Sequence, residues 1–458
     1  MPELHSRLFL SAWAALLLAF APAACAQKTA GPAGRPQKKD VKKMSDVFTR
    51  LWDPEPAEPA SPPEPIRPVR KPLTAPRAAA DQPGALRRYG NDRRNSRAGA
   101  ALRLPPAPQA PAWTVRWKAA LEPSMAPYAL LASGERFVVH GPRRWSLFDA
   151  GGRSLATTPL GNSEVILDDR YVFAAAASEL IFGYHLSHGQ PVFSALPYSA
   201  AEFVHPFLAR HDRFLLVIGI SKDYGDVPVP PETSIELFDL RDPAAPRSWD
   251  QPGGATVTKN LLRETRAMLA AIAGDTIVLA TTDRVYLVDF NLNIQRAMTG
   301  SFAPIQLALD EGGRLYMVVS VNRRFALWLL PPQGEQLYAF DFPQGVAPPA
   351  RPPIVGYDHT AYIVSGRQIL SVAPDGKLNW MRAANADVAG AVVTADDLLV
   401  VSEGDSLTAW DAQGQRRVIH TLPGESLATA PVLLADGDVL VATQAHLYRL
   451  GPAARPAR

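Results

Sequence analysis

Short apolar runs separated by tight polar turns recur along the chain from about residue 113 to residue 451. The runs are rich in β-branched, aliphatic and aromatic residues, and Gly, Asp or Pro bounds them; residues 272–289 and 392–411 are two clear copies. Runs of this kind predict β-strands. No long helical period lies between them, so the pattern favours an all-β repeat architecture.

Each copy contains three such runs in succession, and the position where the third run ends marks the length of the repeat. These positions are Asp149, about His188, Asp239, Asp289, about Pro332, Asp375, Asp411 and Gly451, which gives separations of 39, 51, 50, 43, 43, 36 and 40 residues. Periods in this range are typical of the four-stranded blades of a β-propeller. We therefore predict a β-propeller over residues 113–458.

The last copy lacks a fourth strand. Strand-like runs lie at 432–434, 439–443 and 447–450, and too few residues follow them for another strand. A further strand-like run, residues 113–119, precedes the first full copy. Because an unpaired strand edge is a template for aggregation, we expect residues 113–119 to pair with the last three strands and to close a ring of eight blades.

Two copies carry a more specific motif. One reads Ala430-Pro-Val-Leu-Leu-Ala-Asp-Gly-Asp-Val-Leu-Val441 and continues in Leu447-Tyr-Arg-Leu450, and the other combines Arg351-Pro-Pro-Ile-Val355 with Asp375-Gly-Lys-Leu-Asn-Trp380. These copies resemble the pyrroloquinoline-quinone-type propeller repeat. That family includes quinoprotein dehydrogenases and a non-catalytic branch, the BamB-type outer-membrane assembly lipoproteins. The resemblance covers 113–451 and implies the fold and, through the BamB-like branch, a role as a scaffold.

The first 26 residues predict a secretory signal. His5 and Arg7 precede an apolar run at 8–20, and small residues follow at 21–26. This order of a charged region, a short apolar region and small residues is typical of a signal peptide. The apolar run is shorter than the ~20 residues that span a bilayer. We therefore expect the protein to be exported.

Cys25, the single cysteine, lies where such a signal is processed. Cleavage after Ala26 removes it, with residues 1–26 as the signal peptide. Residues 23–25 also resemble the end of a bacterial lipobox, which implies a lipoprotein signal of residues 1–24 and lipid attachment at Cys25. Both routes stay open. Neither leaves a thiol in the folded part, so cysteine catalysis and thiolate metal sites are excluded.

Residues 27–112 predict a disordered basic linker rich in proline and alanine. Sixteen of the 44 prolines fall here, and proline fixes φ and lacks an N–H, which disfavours helix and sheet. The segment holds 17 Lys and Arg against 8 Asp and Glu, a net charge of +9, whereas residues 113–458 hold 29 against 35, a net charge of −6. The densest basic cluster is 87–97. We expect a flexible tether.

Residues that could carry chemistry repeat from copy to copy, which favours structural roles. Asp residues end the third strand-like run at positions 149, 239, 289 and 411, where their side chains are expected to cap turns. His185 and His188 are expected to be turn residues and not metal ligands. Tryptophans at 117, 145, 249, 328, 380 and 410 are expected to pack blades together. We therefore expect no enzyme activity, cofactor or metal.

The longest insertion is the loop at 222–233, in which Asp223, Tyr224 and Asp226 are candidate partner contacts. We expect a non-enzymatic scaffold for a protein partner in a bacterial cell envelope, acting in outer-membrane assembly. It would be periplasmic, reach the outer membrane only through the lipid anchor, and bind no nucleic acid or small-molecule substrate. The alternatives are a quinone-dependent dehydrogenase and a glycan- or lipid-binding module that uses the basic tail.

Overall fold

The computed structural model describes residues 98–99, 113–142, 144–159, 164–167, 170–175, 181–195, 207–211, 214–220, 233–239, 257–262, 269–273, 276–281, 284–310, 313–331 and 337–453. All regular elements in these ranges are β-strands. Cys25, Trp249 and the loop residues Asp223, Tyr224 and Asp226 lie outside them. In the ranges described, no helix is long and apolar enough to cross a bilayer.

The strands between Ala129 and Asp341 form five antiparallel sheets of four consecutive strands each. Sheet 1 contains Ala129–Ser133, Arg136–His140, Arg144–Phe148 and Ser154–Pro159. Sheet 2 contains Glu164–Leu167, Tyr171–Ala175, Ile181–His185 and Pro191–Ala195. Sheet 3 contains Phe207–His211, Phe214–Ile220, Thr233–Asp239 and Val257–Leu262. Sheet 4 contains Leu269–Ala273, Thr276–Ala280, Arg284–Val288 and Ile294–Thr299, and sheet 5 contains Ala303–Leu309, Leu315–Val321, Arg324–Leu330 and Tyr338–Asp341.

Three further sheets contain the rest of the described strands. Sheet 6 contains Ile354–Val355, Ala361–Ser365, Gln368–Val372 and Leu378–Ala383. Sheet 7 contains Val388–Thr394, Leu399–Glu403, Ser406–Trp410 and Arg416–Thr421, with Ala98–Gly99 added beside the first of these. Sheet 8 contains Val432–Leu433, Val439–Ala442 and His446–Pro452, and its fourth strand is Trp113–Ala120.

The pairing expected for residues 113–119 is present in sheet 8. Trp113–Ala120 runs antiparallel to His446–Pro452, with Trp113 opposite Pro452 and Ala120 opposite His446. A β-bulge at Arg116 shifts the register between its two neighbours. Sheet 8 is thus completed by a strand that precedes all the other strands of sheets 1 to 8 except Ala98–Gly99.

Ala98–Gly99 differs from the linker predicted around it, because these two residues form a short strand. Ala98 lies opposite Val393 and Gly99 opposite Thr394, in parallel orientation. They occupy the edge of Val388–Thr394 that faces away from Leu399–Glu403, the second strand of sheet 7.

The first strand of each sheet contacts the first strand of the next sheet, from Ala129–Ser133 of sheet 1 to Val432–Leu433 of sheet 8. Val432–Leu433 in turn contacts Ala129–Ser133. The first strands are therefore inner strands, and the fourth strands lie at the opposite, outer edge of each sheet.

The apolar core lies between successive sheets, because alternate residues of a strand point to opposite faces. In sheet 7, Val393 and Val401 pack against sheet 6, whereas Val392 and Val400 pack against sheet 8. A strand that is covered on both faces has a continuous apolar sequence, whereas a strand covered on one face alternates apolar and polar residues. The continuous pattern is seen along most second and third strands.

Two tryptophans join neighbouring sheets through the same contact. The Trp380 indole Nε1 of sheet 6 donates a 3.0 Å hydrogen bond to the Ala412 carbonyl in a turn of sheet 7. Trp117 of sheet 8 donates at 2.8 Å to the Ala150 carbonyl of sheet 1. A Cβ added to Gly414 would lie 2.8 Å from Trp380 Cδ2. The predicted packing role is confirmed for these two residues, and Trp145, Trp328 and Trp410 are buried.

The predicted turn caps are confirmed at three of the four Asp positions. Asp149 Oδ1 accepts from the amides of Gly151 and Arg153. The Oδ1 atoms of Asp289 and Asp411 accept from the amides two and four residues further along the chain in the same way. Asp239 is buried at the end of its strand. The carboxylates of Asp149, Asp289 and Asp411 thus satisfy amides of their own turns.

The tryptophan contact predicts a specific effect of replacing Gly414 with alanine. Gly414 has φ +72°, so alanine is strained there, and its Cβ also overlaps Trp380. We expect the free energy of unfolding to fall by about 1 kcal/mol from the backbone strain and by about 1–3 kcal/mol more from the overlap. Urea denaturation measures both effects together.

Gly366→Ala is the matched control for backbone strain. Gly366 has φ +57°, and a Cβ there would meet nothing within 4 Å. Equal losses of unfolding free energy in Gly366→Ala and Gly414→Ala would contradict the structural role of the Trp380 contact.

Candidate interaction surface

The outer strands carry most of the exposed apolar side chains. The large apolar residues that are exposed in the described part of the chain are Val115, Tyr128, Ile294, Leu378, Met381 and Val418. All of them except Tyr128 lie on the fourth strand of a sheet. Four of them belong to the consecutive sheets 6, 7 and 8. We call the fourth strands of these three sheets, Leu378–Ala383, Arg416–Thr421 and Trp113–Ala120, the outer surface of sheets 6 to 8.

The three strands of this surface are held next to one another. Arg416–Thr421 contacts Trp113–Ala120, and His420 Nδ1 lies 3.0 Å from the Trp113 carbonyl oxygen. On the other side, the Trp380 indole ties Leu378–Ala383 to the turn that precedes Arg416–Thr421. The exposed fractions of Val418, Val115 and Leu378 are 52%, 42% and 40%. Their apolar side chains therefore face solvent along adjoining strands.

The charge of this surface is opposite to that of the region that contains it. Its three strands hold no Asp or Glu but contain Arg116, Lys118, Arg382, Arg416 and Arg417. Residues 113–458 as a whole have a net charge of −6, with 29 Lys and Arg against 35 Asp and Glu. Three of these cations pair with carboxylates of the same chain, Arg116 with Asp438, Lys118 with Glu425 and Arg416 with Glu403. The strands themselves are basic and partly apolar, which favours contact with acidic, apolar protein segments.

The outer edges of these strands are available for backbone pairing. Within the described ranges no strand pairs with the outer edge of Leu378–Ala383, Arg416–Thr421 or Trp113–Ala120. An edge strand presents a row of N–H and C=O groups that can pair with another chain. An added strand gains affinity from those backbone bonds and specificity from alternate side chains. The surface thus combines a backbone template with apolar and basic side chains.

A polar network holds Trp113–Ala120 at one end of sheet 8. Glu425 accepts hydrogen bonds from Lys118 Nζ at 2.9 Å, Thr443 Oγ1 at 2.7 Å and the Tyr448 hydroxyl, and His446 Nδ1 lies 2.9 Å away. Burial opposes the ionised form of Glu425, but these hydrogen bonds outweigh burial and hold its pKa well below the usual range. The hydrogen bonds to Tyr448 and Glu425 raise the pKa of Lys118.

A second network lies at the other end of the same strand pair. Arg449 Nε donates to Asp438 Oδ2 at 2.7 Å, and Arg449 also pairs with Asp436. Arg116 lies 3.7 Å from Asp438 and donates to the Pro452 carbonyl at 2.6 Å. Charged groups therefore bind the strand at both ends, which keeps its outer edge in place.

Sequence reasoning missed one acid–base arrangement between sheets 5 and 6. Asp310 is 3% exposed, and its Oδ2 lies 2.8 Å from Nδ1 of the partly exposed His359. The Tyr316 hydroxyl lies 3.2 Å from the same carboxylate and donates to the His359 carbonyl at 2.9 Å. Burial, together with the charge of Asp310, raises the pKa of Tyr316. Asp310 and Tyr316 belong to one hairpin of sheet 5, whereas His359 lies in a turn of sheet 6. No local sequence signal therefore connects the histidine to the other two residues.

His188 lies in the turn that was predicted for it, whereas His185 is the last residue of the strand Ile181–His185, directly before that turn. The Ser187 amide donates to His185 Nδ1, and the Gln190 amide donates to His188 Nδ1, each at 3.2 Å. The two imidazole rings stack with their centroids 4.9 Å apart. Across the described residues, no three His, Cys, Asp or Glu side chains are grouped so that they could hold a metal ion.

Comparison with solved structures identifies the fold. BamB from Moraxella catarrhalis is similar with a TM-score of 0.50 and 10% sequence identity, covering 76% of this chain and 100% of that chain. Quinohemoprotein alcohol dehydrogenase from Comamonas testosteroni is similar with a TM-score of 0.53 and 11% identity over 81% of each chain. The computationally designed protein Ika8 has a TM-score of 0.51 and 14% identity, over 72% of this chain and 98% of its own.

These similarities define an all-β protein with a propeller fold like that of BamB and the quinoprotein dehydrogenase. No family model matches the chain. No curated protein sequence matches it either. At 10–14% identity the similarity defines the fold alone.

The Glu425 network predicts a pH-dependent effect of Glu425→Gln. The depressed folded-state pKa means that the ionised carboxylate stabilises the fold fully above its unfolded pKa of about 4.3. This contribution is lost as the pH falls through the folded value. We therefore expect Glu425→Gln to lower the unfolding free energy by about 1–3 kcal/mol at pH 7 and by progressively less below about pH 4.3.

Glu135→Gln removes the same charge from an exposed turn and serves as the control. Unfolding free energies measured in urea from pH 7 to pH 3 provide the comparison. A Glu425→Gln loss that stays constant across this range, or that matches Glu135→Gln, would show that the carboxylate does not bind the strand pair together.

Proposed function

We propose that this protein is a non-enzymatic scaffold that binds an extended segment of a protein partner along the outer surface of sheets 6 to 8. The observation that supports it is the set of three adjoining outer strands with exposed apolar side chains, basic residues and no acidic residue. The mechanism is β-augmentation, in which the partner adds a strand to an outer edge. Leu378 and Met381 provide apolar contacts, and Arg382 and Arg417 attract acidic side chains.

The scaffold is an eight-bladed ring in this proposal, with sheets 1 to 8 as blades and Trp113–Ala120 as the closing strand. Two observations support it. The first strands contact one another in order, and those of sheets 8 and 1 are also in contact. Trp113–Ala120 also completes sheet 8 to four strands. In a closed ring the outer edges stay exposed to a partner and are held rigidly.

The proposed location is the periplasm of a bacterial cell envelope. The N-terminal signal pattern and the fold similarity to BamB support this location. In this proposal the mature chain reaches the outer membrane only through a lipid on Cys25, and its role lies in outer-membrane assembly. The loop at 222–233, with Asp223, Tyr224 and Asp226, is a second contact for the same partner. Nucleic acids, small-molecule substrates and cofactors are not part of the proposal.

The alternative supported by the fold is a quinone-dependent dehydrogenase, because one similar structure is a quinohemoprotein alcohol dehydrogenase. Such an enzyme needs a metal ion beside the quinone. In the part of the chain that the structure describes, no three His, Cys, Asp or Glu side chains are grouped so that they could hold such an ion. Turnover of an alcohol after addition of quinone and calcium, followed with a dye acceptor, would overturn the scaffold proposal. The glycan- or lipid-binding alternative requires steeply salt-dependent binding that disappears without residues 27–112.

Replacing Leu378 and Met381 with glutamate tests the scaffold directly. Both side chains are exposed, so the melting temperature should stay within about 2 °C of the wild type, as expected for surface substitutions. Two acidic residues on the binding edge should reduce partner recovery at least tenfold, because they repel an acidic segment and remove apolar contacts. The measurement is quantitative mass spectrometry of proteins captured from solubilised envelopes.

Ile294→Glu is the matched control, since Ile294 is 44% exposed on the outer strand of sheet 4. It should leave recovery unchanged. Equal recovery with the wild type, the control and the double variant would exclude the outer surface of sheets 6 to 8 as the binding site.

A further inference from the structure

The space between the outer strands of sheets 5 and 6, which we call the sheet 5–6 seam, departs from the repeated tryptophan contact. Between sheets 6 and 7 the turn glycine Gly414 faces the Trp380 indole. The turn of sheet 6 that closes with the same hydrogen bond contains Gly376. A Cβ added there would lie 3.3 Å from the Ala339 carbonyl oxygen and 3.4 Å from Tyr338 Cβ. A tyrosine and strand backbone thus occupy the place that an indole has in the other seam.

Three aromatic side chains line the sheet 5 side of this seam. Tyr338, Phe340 and Phe342 are half-buried and pack against the apolar cluster that also contains Leu370 and Val372 of sheet 6. The rings of Phe340 and Phe342 lie with their centroids 6.0 Å apart. The half-buried rings therefore face sheet 6 and remain partly open to solvent along the outer edge.

Two exposed aliphatic side chains line the opposite side of the seam. Leu378 lies opposite Val372, and Met381 lies opposite Leu370, across the outer strand pair of sheet 6. Residues directly opposite each other on neighbouring strands share one face of the sheet. Leu378 and Met381 therefore point to the seam, and they are 40% and 37% exposed. The seam thus presents apolar side chains from both strands, a setting that suits an added aromatic ring.

A cation lies on the other face of the same outer strand. Arg382 is opposite Ile369, which packs in the cluster shared with sheet 7. A Cβ added to Gly414 of sheet 7 would lie 3.2 Å from Arg382 Cγ. Within the described residues, the one hydrogen bond of the Arg382 side chain runs to the Met381 carbonyl at 3.0 Å. Its guanidinium therefore has further donors for a carboxylate of a partner.

We propose that a partner strand added to the outer edge of Leu378–Ala383 inserts an aromatic side chain into the sheet 5–6 seam and presents an adjacent acidic side chain to Arg382. Alternate residues of a strand point to opposite faces, so two consecutive partner residues reach the apolar seam and the guanidinium. The recognised feature is an extended segment in which an aromatic residue stands next to an acidic one. This inference rests on the proposed scaffold function and names what the scaffold recognises.

Two labelled synthetic peptides test the seam by fluorescence anisotropy with the full chain. Both are threonine-rich and extended; the first carries one central phenylalanine next to a glutamate, and the second has alanine in place of the phenylalanine. We expect the alanine peptide to bind roughly tenfold more weakly, because the buried aromatic anchor is missing. Equal affinities of the two peptides, or no binding of either, would overturn the inference.

Met381→Ala removes one side of the seam without changing the charge. It should weaken binding of the phenylalanine peptide roughly fivefold and leave the alanine peptide unchanged, because only residues in contact are energetically coupled. Val418→Ala is the matched control, since Val418 is exposed on the outer strand of sheet 7. It should leave both affinities as in the wild type. Equal losses for both peptides in Met381→Ala would contradict insertion of the ring into the seam.

Arg382→Gln tests the acidic contact. It should weaken binding of the glutamate-containing peptide several-fold at low salt and have no effect on a peptide with glutamine at that place, because the lost attraction is between charges. Equal effects on the two peptides would contradict the contact.

The seam and the scaffold function fail in different ways. If Leu378→Glu/Met381→Glu lowers partner recovery while the phenylalanine and alanine peptides bind equally, the outer surface binds a partner and the seam inference is wrong. If partner recovery is also unchanged, both are wrong.

Discussion

The pairing of Trp113–Ala120 with His446–Pro452 is the interaction on which the rest of the structure depends. It brings together residues more than 300 positions apart in the chain, such as Arg116 and the Pro452 carbonyl. Without it, sheet 8 would have three strands, and the largely buried strand His446–Pro452 would become its edge. An exposed apolar edge of that kind promotes aggregation. The Glu425 and Asp438 networks lie at opposite ends of the pair. The two strands are far apart in the sequence, so bringing them together costs conformational entropy. The charged groups of the two networks stabilise the pair against that cost.

Most of the polar residues that repeat between copies maintain the sheets. Asp149, Asp289 and Asp411 satisfy amides of their own turns, and tight glycine turns receive the indole rings of neighbouring sheets. Buried or half-buried polar groups need such partners, since an unpaired one costs about 1–3 kcal/mol. We therefore expect function where the repeat is broken. Such places are the outer strands with exposed apolar side chains and the added inner strand Ala98–Gly99.

The two edges of a sheet meet the same physical constraint in different ways. At the outer surface of sheets 6 to 8, backbone groups face solvent beside exposed apolar side chains such as Val418. At the inner edge of sheet 7, a segment of the chain itself is paired with Val393 and Thr394. An unpaired strand edge is satisfied by water, by a partner or by the same chain.

The sequence by itself determined the strands, the repeat length, the turn caps and the packing role of Trp117 and Trp380. All of these follow from local patterns, such as apolar runs bounded by Gly and Asp, that act within a few residues. It also determined that residues 113–119 would complete the last sheet, because a missing strand can be counted. Only the tertiary structure decided that Asp310 meets His359, 49 residues away, and that the outer strands of sheets 7 and 8 come into contact. Such contacts depend on which turns and outer strands become neighbours, and the period-two pattern of a single strand carries no information about that.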